Sequence, residues 1–315
     1  MITRAGLGGS ALPIGGYAPR DTSHGEGLDL FRRLVLLGTG GEVEMPVTWN
    51  ILDADRPVLD LLDLVEAGEM FMCYFSTSYL GHRVRQLNVL EIPYLFSDLD
   101  AAHRRLDGRL GEVLTDAVRS STGFDVLGYW DNGFRQLSNR LRTVRSPRDC
   151  AGMKIRLQPN PYHEEMVRGW GAIPVATELQ AGIGLIRSGQ VDAQENPLAN
   201  SVAYGVDQVH GHFTMTGHLY GARGLFVHRP TWDGLPRDIK GVIGAAAEAA
   251  IAHQRGLAAG IEKKLRASLE AAGIEFVDLT PAERAAFVEA SASAADRALH
   301  ELGVELYELA RGERS

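Results

Sequence analysis

Residues 42–75 read EVEMPVTWNILDADRPVLDLLDLVEAGEMFMCYF, and their changes of period decide the fold. Glu42–Trp49 alternates, with Val43, Met45 and Val47 on one side and Glu44 and Thr48 on the other, the pattern of a half-buried strand. Asp55–Ala67 takes helical spacing, with Pro57 suited to a first turn. Glu69–Phe75 is a short apolar run of Met, Phe, Cys and Tyr, read as a buried strand. Upstream, Ala11–Tyr17 supplies an earlier strand, and Gly25–Gly38 a helix through Leu28, Phe31, Leu34 and Val35. This order of strands and helices builds a parallel sheet with helices on its faces, so the fold class is α/β.

Downstream, Ile92–Phe96 is short and apolar, and a helix from about Asp98 carries Leu106, Leu110 and Val113 inward. Further strands are expected at Val126–Trp130, Lys154–Leu157 and Val191–Glu195, with a helix around Tyr162–Gly169. A second sheet therefore forms before Phe213–Thr216, where the chain returns to the first. Pro236–Gly273 is the longest helical stretch, about 55 Å at 1.5 Å per residue, enough to run across two lobes. A strand at Ile274–Leu279 precedes Thr280-Pro281-Ala282-Glu283, a capping box that starts the C-terminal helices ending near Arg311.

The 315 residues suffice for two lobes with cores of their own. A net charge of -8 repels a phosphate backbone and an anionic membrane surface alike. No segment approaches the roughly 20 apolar residues of a membrane span. Nucleic-acid binding and membrane insertion are set aside on those grounds. Met1–Gly16 (MITRAGLGGSALPIGG) has one Arg and many Gly but no sustained apolar core for an export leader. The leader has been removed, the true start lies upstream, or the protein is not exported.

Cys73 sits in an apolar run and reads as a buried small hydrophobe, and Cys150 precedes a turn. Neither belongs to a Cys-x-x-Cys pair, and their spacing neither requires nor forbids a bridge. His210, His212 and His218 have metal-like spacing, but no Cys or carboxylate nearby in sequence completes a site, so no metal is expected. The Gly6-Leu7-Gly8-Gly9 run precedes no strand–turn–helix unit and reads as a tail rather than a phosphate loop. There is no Gly-x-Ser-x-Gly elbow, and Glu164 and Glu165, as adjacent helical residues, point apart. No catalytic residue and no cofactor is assigned.

Gly133–Pro197 holds the candidate binding residues: GFRQLSN (133–139), SPRDCAGMKIRLQ (146–158), GAIPV (171–175) and SGQVDAQENP (188–197). Arg156 ends a strand that follows a Gly turn, where ligands bind in open α/β sheets, and its planar fork matches a carboxylate. Asn196 follows another apolar strand and is locked by Pro197. On their own, such an Arg is more often solvated and such an Asn a turn former.

These blocks, with IPYLFSD (92–98) and VDQVHGHFTMTGHLY (206–220), resemble the solute-binding subunits of tripartite ATP-independent periplasmic (TRAP) transporters over almost the whole chain. The resemblance implies a two-lobed periplasmic-binding-protein-like fold, with a ligand cleft between lobes and a long helix spanning both. It implies lobe I at 1–132 plus 215–245 and lobe II at 133–214 plus 246–315. By position, Arg156 matches the arginine that pairs with a ligand carboxylate, Asn196 its supporting asparagine, and Arg135 a second arginine that contacts the ligand in many members. Tyr74, Phe75 and Tyr79, in YFSTSY (74–79), and Tyr220 lie where the family contributes further ligand contacts. One departure is Ala193, where a second Gly is common.

The function so implied is capture of a small organic acid in the periplasm for the TRAP integral-membrane subunits, by arginine–carboxylate pairing and hinge closure, with no chemistry performed. A sugar acid or hydroxy acid is favoured over a C4-dicarboxylate, and a monomer is the default. The rival is a cytosolic enzyme or ligand sensor on the same scaffold.

Overall fold

The computed structural model describes residues 11–312. Its strands are β1 (Ile14–Gly15), β2 (Val47–Thr48), β3 (Met72–Ser76), β4 (Phe124–Asn139), β5 (Lys154–Leu157), β6 (Ile173–Ala176), β7 (Ala193–Asn196), β8 (His212–His228) and β9 (Glu275–Asp278). The chain divides into two compact units: the described residues up to Ser76 with Gly111–Asp131 and Arg223–Ala258, and Thr77–Leu110 with Asn132–Ala222 and the residues from Ala259 on. Thr77–Leu110, which the sequence places with lobe I, groups here with the second unit, and the return to the first falls at Arg223 rather than near Phe213–Thr216. The Gly6–Gly9 run lies outside the described residues.

In the first unit β1 pairs in parallel with β2 and β3, Ile14 opposite both Val47 and Met72. Helices Ser23–Gly38 and Asp60–Glu66 connect them, which is the expected α/β order. β3 then pairs antiparallel with β8, from Met72 against Val227 to Ser76 against Arg223. The alternation over 42–49 is real in burial, since Val43 and Met45 are buried and Glu44 is exposed. Only Val47–Thr48 is regular strand, however. Pro46 has no N–H to donate, so the ladder is interrupted there and resumes only as a single bridge between Ala11 and Glu44. The second helix also starts later than its periodicity suggests: Asp55 takes a left-handed conformation (φ 57°) after a 3-10 turn over Ile51–Ala54, and Pro57 lies ahead of the helix.

In the second unit β5 lies between two parallel neighbours, with Lys154 opposite Ile173 of β6 and Ile155 opposite Ala193 of β7. β7 pairs antiparallel with β4, Gln136 opposite Asn196 and Leu137 opposite Glu195. β9 pairs in parallel with the start of β8. The core beneath this sheet gathers Leu137, Ile155, Leu157, Ala193, Trp170 and Phe287. Cys150 packs there as a free thiol, and burial pushes it up to about 12. Cys73, in the first unit, is likewise buried and free.

The helix expected from Asp98 is two helices, Leu99–Leu106 and Arg109–Ser121, and Leu114 is the buried residue beside half-buried Val113. The long helix is Arg237–Ala271, 35 residues and about 52 Å, and its residues are shared between the two units. Thr280 caps the next helix as expected, with Glu283 N–H donating to its hydroxyl at 3.3 Å and its own N–H donating to the Glu283 carboxylate at 2.7 Å. No helix among the described residues is long and apolar enough to cross a membrane.

Candidate functional site

Gly152, at φ 75°, makes the turn that launches β5, and the strand delivers Arg156 into the second unit with only 2% of its surface exposed. Register sets which way it faces. Arg156 sits opposite Gln194, so Arg156, Gln194 and Asn196 lie on one face of the sheet, while Ile155, Leu157, Ala193 and Glu195 lie on the core face. Two of the sequence-predicted residues, Arg156 and Asn196, therefore share a side. The Asn196 side-chain oxygen accepts a hydrogen bond from Asn200 Nδ2 at 3.3 Å.

Arg156 Nη2 donates to the Thr177 carbonyl at 2.9 Å, and the Tyr79 hydroxyl is a further hydrogen-bond partner. Its Nε is buried with no partner, and no carboxylate lies within ion-pair distance among the described residues. Burial works to push this guanidinium below its ordinary value, with Tyr79 and Glu195 opposing. Half-buried Glu178 is near enough to feel the charge, yet burial holds its carboxyl above the usual range. Helix Leu179–Arg187 closes over the arginine with Gly182.

Arg135 is handled differently. Both arms of its fork meet Glu195: Nε bonds the carboxylate, Nη2 donates to Oε1 at 2.8 Å, and Nη2 also donates to the Glu195 carbonyl at 2.7 Å. The pair is fully buried. Burial would raise the Glu195 carboxyl, but Arg135 beside it and a bond from His218 hold it well below the carboxylate range. His218 Nε2 lies 3.4 Å from Glu195 and its Nδ1 2.7 Å from the Thr216 hydroxyl. Glu91 and His163 form a second buried pair at 2.7 Å. Of the two arginines singled out in the sequence, one is neutralised by the protein and the other is not.

His210, His212 and His218 go to separate partners, Ser138 at 2.9 Å, Glu275 at 2.9 Å and Glu195. Tyr220 is buried edge-on between Phe96 and Phe134, at 5.6 and 5.8 Å. Tyr79 stands half-buried in a 3-10 turn over Thr77–Leu80. In the first unit Tyr74 and Phe75 are fully buried on β3. The Tyr74 hydroxyl accepts the Tyr17 N–H at 3.1 Å, and its ring packs near Tyr17, His24 and Trp130. The Arg223 guanidinium lies 4.5 Å over the Tyr17 ring.

Sequence reasoning missed Glu195 as the partner of Arg135, His218 as a further partner of Glu195, and His24, Trp130 and Arg223 around Tyr74. Glu195 offered a signal, being a carboxylate in a strand whose four residues are all buried. The others offered none, because their partners lie far off in the chain.

Residues 14–301 match the family of bacterial extracellular solute-binding proteins, family 7 (DctP). The chain belongs to this family. One family 7 relative, the C4-dicarboxylate-binding periplasmic protein DctP of Rhodobacter capsulatus, is 31% identical over 90% of this chain and 85% of its own. A TRAP periplasmic solute-binding protein of Polaromonas, solved with D-erythronate, superposes with a TM-score of 0.89 at 27% identity, over 96% of this chain and 98% of its own. Another, of Ralstonia eutropha with (S)-2-acetolactate, reaches 0.88 at 26% identity over 96% and 98%. The chain is thus a family 7 TRAP solute-binding protein, α/β in class as expected.

Proposed function

We propose that this protein binds a small organic acid by its carboxylate at Arg156, in the periplasm, for delivery to TRAP membrane subunits, and does no chemistry itself. One observation carries the reading: among the described residues Arg156 is a buried cation without a counter-ion, beside an arginine whose charge is already met. A buried charge left alone is costly, so the site is completed by an anion. A planar carboxylate suits the free side of a guanidinium fork.

Asn196, on the same face, and Tyr79, bonded to the arginine, are the second-unit groups that orient the head group. Arg135 acts by positioning Glu195 and β7 rather than by touching the ligand. Tyr220 packs within the second unit, and Tyr74 and Phe75 pack within the first. With Arg156 the one buried cation left unmatched among the described residues of the second unit, a single strongly held carboxylate fits better than two. The hydroxylated acids bound by the Polaromonas and Ralstonia proteins support a sugar acid or hydroxy acid over a C4-dicarboxylate.

The test is calorimetry with D-erythronate on the unmodified protein and Arg156→Ala. Removing the anchor should cost about 2–5 kcal/mol, roughly 30- to 4000-fold in affinity. Undiminished binding in the variant would remove the proposed anchor.

A further inference from the structure

The second unit holds a carboxylate that its own fold leaves unmet. Glu178 stands just ahead of helix Leu179–Arg187, at the position whose side chain ordinarily caps the first turn, yet it makes no capping bond. It is half-buried, and among the described residues no hydrogen bond or ion pair holds its carboxyl.

The chain brings this acid close to Arg156. Arg156 Nη2 donates to the Thr177 carbonyl at 2.9 Å, and Glu178 is the next residue along. Its nitrogen is bonded to that carbonyl carbon, so the Glu178 backbone begins about 5 Å from the guanidinium. Arg156 acts on the Glu178 carboxyl against the effect of burial. Tyr79, whose hydroxyl bonds Arg156, also feels the Glu178 charge. These side chains form one polar cluster inside the unit. Its two opposite charges are neighbours but do not meet, and Arg156 Nε is buried with no partner.

A ligand seated there must give an anion to the arginine and a hydrogen-bond donor to the glutamate. Elementary chemistry narrows the donor. A carboxylate accepts only, so a second one would meet like charge at Glu178. An ammonium donates but must shed its hydration, and burial outweighs Arg156 in setting the Glu178 carboxyl, so the surroundings disfavour charge. A hydroxyl on the carbon beside the ligand carboxylate donates without adding charge.

We propose that Glu178 selects for hydroxy acids, accepting a hydrogen bond from the hydroxyl next to the carboxylate that Arg156 holds and repelling a second carboxylate. The inference rests on the carboxylate anchor at Arg156 and deepens it by naming the residue that reads the neighbouring group. A built acceptor discriminates strongly against an analogue that lacks the hydroxyl.

The test is calorimetry with D-erythronate, with 3,4-dihydroxybutanoate, which lacks only the 2-hydroxyl, and with succinate. The unmodified protein should bind D-erythronate roughly 10- to 100-fold more tightly than the deoxy analogue. In Glu178→Ala that preference should shrink to about threefold or less, with binding of the deoxy analogue nearly unchanged. Glu178→Gln, which keeps an acceptor without the charge, should bind succinate roughly threefold or more tightly than the parent does. A preference equal in parent and Glu178→Ala would overturn the assignment. So would tighter binding of 2-amino-3,4-dihydroxybutanoate than of D-erythronate, since the glutamate would then read an ammonium. A variant that fails to fold shows itself in its melting curve, and the analogue comparison on the unmodified protein then decides: equal affinities sink the proposal. Failure of the anchor looks different, because Arg156→Ala would then bind D-erythronate undiminished. If the unmodified protein binds no D-erythronate, both readings fall.

Discussion

Gly182 and Arg156 occupy adjoining space so closely that a Cβ at 182 would lie 2.4 Å from Arg156 Nε and 3.0 Å from its Cδ. The glycine is inside a helix, where alanine is ordinarily the better residue by about 0.5–1 kcal/mol. Its presence is explained by the arginine rather than by the helix. Gly182→Ala should therefore keep or strengthen the helix while displacing the guanidinium. Calorimetry with D-erythronate should show a loss of about tenfold or more, equivalent to about 1.4 kcal/mol. Unchanged affinity would mean that the arginine is not the anchor or that its place tolerates a methyl group.

Glu195 tests the other arginine. Glu195→Gln keeps the shape but leaves Arg135 buried without a counter-charge, a change that costs about 3–5 kcal/mol when one partner of a buried pair is removed. Urea unfolding should show a lower midpoint with an unchanged slope. The pH dependence has a definite sign. The folded carboxyl is held below its ordinary value, so its contribution is fully present above the unfolded value of about 4.3 and is lost as pH falls through the folded one. The stability gap between parent and variant should narrow as the pH is lowered from about 5. A gap that does not depend on pH would show that the pair does not titrate as described.

Local signals made β5, Arg156 and Asn196 legible: a Gly turn, a short apolar strand and a proline lock all fall within a few residues. The capping box at Thr280 is local in the same way. The Arg135–Glu195 pair was not legible, because 60 residues separate partners that only the antiparallel register of β4 and β7 brings together. The length of β4 was hidden by Gly128 and Gly133, which read as breakers but are accommodated within the strand at φ 143° and 89°.

Thr280 offers a check on the C-terminal helices alone. Its hydroxyl accepts the Glu283 N–H at the start of helix Pro281–Ala290. Thr280→Ala should lower stability by about 1 kcal/mol. Glu283→Gln should change it far less, since glutamine keeps the reciprocal acceptor for the Thr280 N–H. Equal effects from both substitutions would mean that the glutamate charge, not the capping geometry, starts this helix.

His210 makes stability depend on mild acid. Its ring is buried, Nδ1 is 2.9 Å from the Ser138 hydroxyl, and Nε2 has no partner among the described residues. Burial, and after it the charge of Arg140, lowers it to about 4. An unfolded histidine takes up its proton near pH 6.5. Between about 6.5 and 4 the unfolded chain thus binds a proton that the folded chain refuses, and stability falls as pH falls across that window. The share of one such group is about 3 kcal/mol at most. Replacing it by His210→Asn should flatten the stability–pH curve between pH 4 and 6.5, whatever the variant loses at neutral pH from altered packing. Urea midpoints measured at half-unit pH steps give both slopes. Parallel curves for parent and variant would show that His210 protonates as readily folded as unfolded, and its burial would then not exclude the charge.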